Sequence, residues 1–503
     1  TVAKDGLTRC DHASEMADRK RFQGKTRASS LVTDAMKAHI SLMSGLLNFG
    51  LHNYMRGAMN LRTSWKGFAE ISKRKFTDEN DSDLMLARTM GYTGVSQFLF
   101  FMSVLPSSAL FIAKLAGFEA NKVEGLRMAN SVMDTTNDLM SKRQSCMLLI
   151  LEALMRASNE FDPEHKKAQE EAVRVHDIMA EHGGGDLTFI KWIGTQVWRR
   201  TGRIEDAAIA LDQVVEKAKK IENGPNLVFR VRFDQATMHF IEQDYARAKD
   251  FMLPLIDKNS TYTSKTMTCV LIGACCANLG LDNQAQNAYK MVSDVGSGGR
   301  MDENLKLKVK TLMRRKCQKL VGIELTYVLG FYKILSLADV EKCLAQLDDF
   351  EKEIEGHRTV VDEVKKTSKH MLLVDEEMAT CYLLKGAYLQ RLQRSKEAVV
   401  YLKKAINVSN ELAKELRKRK RIELYDNYHM PCAHFELAGI ALSVGDAKNG
   451  KAHLDRVMKY SGYTFQSGME FRVKLIHKHS MLDDKPRPSA TLTEGSDNAS
   501  TPA

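Results

Sequence analysis

Apolar residues recur at helical spacing along most of the chain, and the clearest example lies between residues 377 and 409. Two amphipathic segments in this stretch are separated by a short polar turn. Gly386 in the first segment and Ala398 in the second are small where two helices would cross closely. Leu402 is large where such a pair needs to be filled. The pattern therefore predicts an antiparallel helical hairpin.

The same arrangement recurs at residues 188–221, 229–256, 266–292 and 431–460. The small residues that correspond to Ala398 in the other second helices are Ala207, Ala248, Ala285 and Gly450. This arrangement of small and large residues resembles the tetratricopeptide pattern. The sequence thus predicts an all-α fold, a tetratricopeptide-like helical-hairpin repeat superhelix (α-solenoid), with variable steps between neighbouring repeats.

Composition divides the chain into four segments. Residues 1–29 are polar and charged, and we expect them to be loosely ordered. Residues 30–184 form an N-terminal helical region, which ends at the three glycines after His182. The degenerate repeat region occupies residues 186–482, and residues 483–503 have the composition of a disordered tail.

The most apolar stretch of the chain is residues 98–118. Its length would suit a membrane span, but Pro106 interrupts it and Lys114 lies inside it. Because a proline followed by two serines marks a helix boundary, the pattern favours two short helices that meet at a buried corner. A membrane-surface element and a membrane span remain the alternatives.

The overall composition favours long helices, because the chain has 8 prolines and 26 methionines in 503 residues. Nine cysteines occur without a CxxC pair, a usage typical of buried thiols in a reducing compartment and hence of a cytoplasmic protein. The formal net charge of +11 is compatible with an acidic protein partner, nucleic acid or an anionic membrane surface. A solvated helical surface would carry the same excess.

The sharpest electrostatic feature is a run of five cations, Arg417, Lys418, Arg419, Lys420 and Arg421. Five adjacent cations surround a helix instead of marking one face, so the simplest interpretation is a solvated helix end, where cations suit the C-terminal dipole. Binding to an acidic protein segment or to lipid headgroups is an alternative. Nucleic acid is disfavoured as a partner because no aromatic side chains alternate with the charges.

Residue patterns for catalysis or metal binding are sparse. His477 and His479 are two residues apart, so on a helix they point in directions about 200° apart. The chain has no HExxH, paired CxxC or GxSxG pattern, and the glycine-rich loop at 296–300 lacks the lysine of a phosphate-binding loop. We therefore expect no enzymatic activity, no cofactor and no metal site.

Three further stretches resemble a known family. They are residues 53–65, which contain NYMRG and LRTSW, residues 94–126, which contain LPS, GF and GL, and residues 425–438, which contain YDNY and FELA. In their order and distances they are similar to the tetratricopeptide repeat protein 39 family, which also includes the fungal inclusion-body clearance proteins. The resemblance covers roughly residues 36–482.

This resemblance implies an all-helical repeat protein without known catalytic residues. Family members are linked to lipid homeostasis, to ubiquitin-dependent turnover of partners and, in fungi, to clearing inclusions through lipid droplets. We expect a non-catalytic adaptor or scaffold that binds protein partners, and not nucleic acid, on its helical-repeat surface. The alternative is a peripheral membrane or lipid-droplet protein that uses residues 98–118 as an apolar wedge.

The first helix of each pair usually lines the concave side of such a repeat array. This geometry nominates Gln196, Arg199 and Arg200 in one pair, and Gln390 and Arg391 in another, as partner-binding residues. The basic run at 417–421 is added on the strength of its charge. For each of these residues, plain solvation at the surface is the alternative.

Overall fold

The computed structural model describes residues 2–23, 27–51, 53–74, 81–104, 118, 120–157, 164–182, 187–220, 224–258, 260, 262–296, 300–315, 317–363, 368–418 and 426–479. Every regular element in these ranges is helical. The helices are α1 (Val2–Gln23), α2 (Arg27–Gly50), α3 (Tyr54–Lys73), α4 (Ser82–Val104), α5 (Lys122–Thr135), α6 (Leu139–Ala157), α7 (His165–Glu181), α8 (Thr188–Arg200), α9 (Ile204–Ala218), α10 (Gly224–Ile241), α11 (Tyr245–Met252), α12 (Lys265–Asn278), α13 (Asp282–Val295), α14 (Arg300–Leu312), α15 (Leu320–Val328), α16 (Leu337–Glu363), α17 (Ser368–Arg391), α18 (Ser395–Lys418), α19 (His429–Ser443), α20 (Ala447–Val457) and α21 (Gln466–His479). Short 3₁₀ helices lie at Leu253–Leu255 and Phe331–Ile334. The all-α, tetratricopeptide-like fold class is thus confirmed.

The chain folds as two compact units. Unit 1 contains α1–α11 together with the short segment Ile334–Ser336, and unit 2 contains α12–α21, so the main division falls between Ser264 and Lys265. The glycine run at which the sequence placed a subdomain boundary lies outside the described residues. On either side of it α7 and α8 pack together, with the ring centroids of His176 and Trp198 5.3 Å apart. The repeat pattern therefore begins within unit 1 and continues in unit 2.

Five helical hairpins carry the repeat pattern, in agreement with the sequence: α8–α9, α10–α11, α12–α13, α17–α18 and α19–α20. The small residue predicted for each second helix is buried in every pair. In α17–α18 a Cβ atom at Gly386 would lie 2.5 Å from Cγ of Leu402. In α19–α20 the glycine is on the second helix, and a Cβ atom at Gly450 would lie 2.6 Å from Cδ2 of Leu442.

Each of these hairpins turns through three residues whose central residue has a positive φ. The five central residues and their φ angles are Gly202 (81°), Gln243 (62°), Gly280 (72°), Gln393 (61°) and Gly445 (79°). The third turn residue donates its N–H to a carbonyl five residues earlier, as Arg394 does to Leu389 at 3.0 Å. This bond closes the helix end in the manner of a Schellman motif, for which glycine is the usual central residue.

The N-terminal segment differs from the expectation of loose order over residues 1–29, because Val2–Gln23 form α1 and α2 begins at Arg27. The reason is a stripe of small residues in an otherwise polar helix. Ala17 is buried, and a Cβ atom at Gly6 would lie 2.9 Å from Cδ1 of Leu47 in α2. Close approach along such a stripe lets a polar helix pack, although its composition resembles that of a disordered segment.

The apolar stretch at 98–118 begins in the last turns of α4. Phe98 and Phe100 are buried, whereas Phe101 is 45% exposed. Phe98 stacks on Phe118, with ring centroids 5.8 Å apart. Residues 105–117, including the break predicted at Pro106, lie outside the described residues. No helix in the described ranges combines the length and the apolar character needed to cross a membrane.

The inner helices of unit 2 are buried on nearly all sides. Helix α15 packs against both α12 and α17, and α17 packs against α19. All residues of α15 from Leu320 to Tyr327 are buried. Helix α15 therefore lies inside unit 2, enclosed by its neighbours, and is not part of an exposed repeat surface.

Charged side chains from distant parts of the chain meet in the interior of unit 2. Lys308 Nζ lies 2.6 Å from Glu324 Oε1 and 3.3 Å from Asp426 Oδ2, and Arg315 Nη1 lies 2.5 Å from Glu324 Oε2. The Tyr428 hydroxyl also donates to Glu324. Burial acts to raise the pKa of Glu324, but Arg315 and Lys308 overcome it and lower that pKa to about 2. Glu324 is thus a buried carboxylate that stays ionised.

Candidate partner-binding face

Helix α8 carries three of the residues that the sequence nominated, and it is amphipathic. Ile190, Ile193 and Val197 are buried on one side of the helix. Gln196 lies on another side, where it reaches α10 of the next pair: its Nε2 donates to Asp234 Oδ2 at 3.0 Å. Trp192 Nε1 donates to the same oxygen at 2.9 Å. Asp234 therefore ties the two first helices together.

Arg199 joins this cluster from the last turn of α8. Its Nη2 donates to Gln196 Oε1 at 2.8 Å, and its Nη1 lies 3.7 Å from Asp234 Oδ1. The side chain of Arg199 is 14% exposed and that of Asp234 is 7% exposed. Burial lowers the pKa of Arg199, Asp234 acts in the opposite direction, and Arg230 adds to the lowering. Because an arginine pKa starts so high, the group remains a cation.

Two more arginines lie beside this cluster. Arg200 and Arg230 are exposed, and both are electrostatically coupled to Arg199. Neither forms an ion pair within the described part of the chain. Three guanidinium groups are therefore balanced by the single carboxylate of Asp234, so the site has a local excess of positive charge.

Aromatic side chains border the cations. Phe189 is 53% exposed and leans on Trp192, with ring centroids 5.7 Å apart. On α10, Phe233 lies 5.7 Å from the ring of Tyr262. Phe189 and Arg199 are ten residues apart on α8, about 15 Å along the helix axis, so an extended ligand that meets both would find apolar area at one end and charge at the other. We refer to the following set as the Asp234 face: Phe189, Trp192, Gln196, Arg199, Arg200, Arg230 and Asp234.

Asp234 was not identified from the sequence. It is the one carboxylate between residues 224 and 241, in a segment that also holds Arg230 and Arg232. A lone acid in a largely buried helix is a signal that it has a partner, since an unpaired buried carboxylate is costly. That signal does not identify the partner, because Trp192, which binds Asp234, is 42 residues away in the sequence.

The second nominated pair of residues lies at the end of α17. Gln390 is half-buried and its Oε1 accepts a hydrogen bond from Ser395 Oγ at 3.1 Å, while Arg391 is exposed. They belong to unit 2, whereas the Asp234 face belongs to unit 1. The preceding turns of α17 are buried between α15, α16, α18 and α19, so this first helix does not line an open surface.

The basic run continues the last turn of α18. Arg417 and Lys418 are exposed, and Lys418 Nζ lies 3.6 Å from Glu415 Oε2. Arg419, Lys420 and Arg421 lie outside the described residues. The two described cations therefore occupy a solvated helix end, the simplest of the arrangements expected from the sequence.

The buried charges around Glu324 and the possible metal ligands are the other side chains relevant to chemistry. The cluster around Glu324 is sealed, since the side chains of Lys308 and Glu324 are both 0% exposed. No group of three or more His, Cys, Asp or Glu residues in the described ranges could hold a metal ion. The Asp234 face brings three of the sequence-nominated residues together where a partner can reach the exposed Arg200.

The comparisons with known proteins agree with the repeat pattern. A family model described as Iml2/Tetratricopeptide repeat protein 39 matches residues 3–392 of the chain. That range contains the Asp234 face and most of the helical hairpins. No curated protein matches the chain.

Proposed function

The chain belongs to the Iml2/tetratricopeptide repeat protein 39 family, and on this basis we propose that it is a non-catalytic adaptor that holds protein partners on its helical-repeat surface. Helical repeats suit this role because their stacked pairs present broad surfaces built from rigid elements. The observation that carries the proposal is the excess of arginine over carboxylate on the Asp234 face.

The chemistry of this face favours an acidic protein segment. Arg199 is held by Gln196 and Asp234, so little side-chain freedom is lost when its remaining donors meet a carboxylate. Arg200 and Arg230 add charge that attracts such a segment. Phe189 supplies an apolar contact near the start of α8, about 15 Å along the helix from Arg199, which favours an extended segment that carries a large apolar residue several positions away from some of its acids.

A direct test uses a short fluorescent peptide rich in Asp and Glu with one central Phe. We expect the wild-type chain to bind it, with an affinity that falls as salt is added. The variant Arg200→Gln/Arg230→Gln should bind roughly tenfold more weakly, because the exposed cations are removed while Arg199 and the fold remain. Fluorescence anisotropy would measure both affinities.

The matched control is Lys219→Gln/Arg247→Gln, which removes the same charge from exposed positions in unit 1. Its affinity should stay close to that of the wild type. Equal weakening in both variants would indicate unspecific attraction between net charges and would contradict the proposed site. A peptide of reversed charge that bound equally well would do the same.

The finer parts of the proposal concern location and pathway. We propose a cytoplasmic protein whose partners connect it to lipid homeostasis, to partner turnover or to inclusion clearance, as the family resemblance implies. Flotation of the purified chain with liposomes tests the alternative of a peripheral membrane or lipid-droplet protein. Recovery with the vesicles, abolished by Phe101→Asp, would favour that alternative over the adaptor.

A further inference from the structure

Two histidines of the last repeat hairpin face each other at the surface of unit 2. His434 on α19 and His453 on α20 have their Nδ1 atoms 3.0 Å apart. The ring of His434 also stacks on Tyr460, with centroids 6.1 Å apart. His434 is buried and His453 is half-buried. The two Nε2 atoms have no partner in the described part of the chain and are left for a ligand.

The surroundings of this pair are cationic. Arg456 acts on both histidines and Lys403 of α18 acts on His453, each lowering the histidine pKa in addition to the larger effect of burial. No carboxylate contributes to the field at either ring. Lys403 and Arg456 are exposed, and neither forms an ion pair with a described carboxylate. Arg456 follows His453 by three residues on α20, so the two lie on the same side of that helix, and the charged groups that act on the pair are cations without a counter-charge.

Two ligand classes can use paired imidazoles, and the charges decide between them. A divalent metal would gain two nitrogen ligands, but it would also meet the repulsion of Lys403 and Arg456. An oxyanion would be attracted by both cations. It could also accept a hydrogen bond from the Nε2–H of the ring whose Nδ1 accepts within the pair, since a neutral imidazole has one donor nitrogen and the other ring donates from Nδ1. A phosphate monoester carries about two negative charges at neutral pH, which matches two cations.

We propose that Lys403, His434, His453 and Arg456 form a binding site for a phosphoryl group. The ligand is either inorganic phosphate or the phosphorylated side chain of a protein segment, since both present the same oxygens. The site lies beyond residue 392, where the family match ends. It also does not depend on the adaptor proposal, because it shares no residue with the Asp234 face.

Isothermal titration of the full chain with inorganic phosphate, at constant ionic strength in a chloride buffer, tests the site. We expect saturable binding that weakens roughly tenfold or more in Lys403→Gln/Arg456→Gln, because two charge-assisted contacts are lost. The control Lys396→Gln/Lys451→Gln removes the same charge from exposed positions of α18 and α20 and should bind like the wild type. His453→Gln should weaken binding without changing the net charge at neutral pH.

A phosphoserine peptide and its unphosphorylated counterpart distinguish the two sources. Tighter binding of the phosphopeptide than of inorganic phosphate identifies a protein-borne group, and the reverse order identifies the free anion. Absence of saturable binding by either probe would overturn the proposal, as would equal losses in the variant and its control. Histidine-dependent binding of Zn²⁺ that is stronger than that of phosphate would also overturn it, since it would show that the pair prefers a metal.

Discussion

The ring of Tyr289 lies directly against the backbone of Gly273, so that a Cβ atom at residue 273 would be 2.2 Å from the tyrosine Cε1. The two residues belong to α12 and α13 and are sixteen positions apart, the same separation as Gly386 and Leu402. Both contacts place a glycine of the first helix under a large side chain of the second. The sizes of the two facing residues therefore determine how closely the two helices of a repeat can approach each other.

This contact predicts that Gly273→Ala destabilises the protein by about 1–3 kcal/mol, because the added methyl group forces apart a well-packed crossing. Urea unfolding would measure the loss. The matched control is Gly356→Ala in α16, where a Cβ atom would meet nothing within 4 Å. That substitution should stabilise by about 0.5–1 kcal/mol, since alanine is the better helix former. A neutral Gly273→Ala would show that α12 and α13 are not in contact at this position.

The repeated turns predict that alanine has different effects on the free energy of unfolding at two equivalent turn positions. Gly445→Ala should destabilise by about 1 kcal/mol, because φ is +79° and an L-residue is strained there. No atom lies within 4 Å of the position, so the cost is conformational. Gln393→Ala should be close to neutral, because Gln393 already bears that strain at φ +61°. Equal losses of unfolding free energy in urea would mean that residues 445 and 393 do not keep these φ angles in solution.

Local pairings of this kind explain why the repeat architecture was predictable. Gly386 and Leu402 belong to neighbouring helices in the chain, so their sizes can be compared in the printed sequence. The contact between Trp192 and Asp234 spans 42 residues, and that between Lys308 and Asp426 spans 118 residues. Such contacts depend on how successive hairpins stack. Because the repeats are degenerate and the steps between them vary, the sequence does not determine that stacking.

The partner-binding residues nominated from the sequence lie in different surroundings in the structure. Gln196, Arg199 and Arg200 fall at one site because α8 and α10 are consecutive first helices. Gln390 and Arg391 do not form such a site, because α17 is enclosed by α15, α16, α18 and α19. The apolar composition of residues 320–328 is visible in the sequence, but its position against α17 is a property of the fold.

The end of α4 predicts contrasting effects for two adjacent phenylalanines. Phe100 is 0% exposed and belongs to the core around Ala153 and Val175, so Phe100→Ala should cost about 3–5 kcal/mol. Phe101 is 45% exposed, so Phe101→Asp should leave the folded protein close to wild-type stability. Thermal unfolding of the two variants would measure the difference. A failure of Phe101→Asp to fold would mean that residues beyond α4 cover this side chain.

Glu376 in α17 predicts a pH dependence of stability. Burial raises its pKa from 4.5 to about 7, against the effect of Arg315. Between these values the folded protein holds a proton that the unfolded chain has released, so the contribution of Glu376 to stability should fall as the pH rises from about 4.5 to about 7 and then level off. Burial lowers the pKa of His39 and of His434 to about 4, which acts in the opposite direction, so the effect of Glu376 is measured as a difference between variants. The effect of this group amounts to roughly 3 kcal/mol.

Glu376→Gln keeps the site neutral at every pH and should remove this decline. The variant should match the wild type near pH 5 and exceed its stability at pH 8, as measured by urea unfolding across the range. Glu303→Gln, which changes an exposed glutamate of α14, should leave the decline in place. A difference in stability between Glu376→Gln and the wild type that stays constant from pH 5 to pH 8 would contradict the assignment.

The buried ions around Glu324 predict strong coupling between two substitutions. Lys308→Met leaves Glu324 and Asp426 buried with one cation fewer, and Glu324→Gln leaves Lys308 and Arg315 without their shared carboxylate. Each should destabilise by about 3–5 kcal/mol, because an uncompensated buried charge is costly. The double variant removes one charge of each sign, so it should lose less than the sum of the single variants. The exposed pair Lys414–Glu411 gives the reference, since its coupling should be about 0.2–1 kcal/mol.

The same cluster gives this prediction a second test through pH. Because the pKa of Glu324 is lowered from 4.5 to about 2, its contribution to stability is complete above pH 4.5 and is lost as the pH falls toward 2. The deficit of Glu324→Gln relative to the wild type should therefore shrink over that interval. A deficit that stays constant down to pH 2 would mean that the glutamine variant loses packing rather than charge pairing. In that case the double variant should lose as much as the two single variants together.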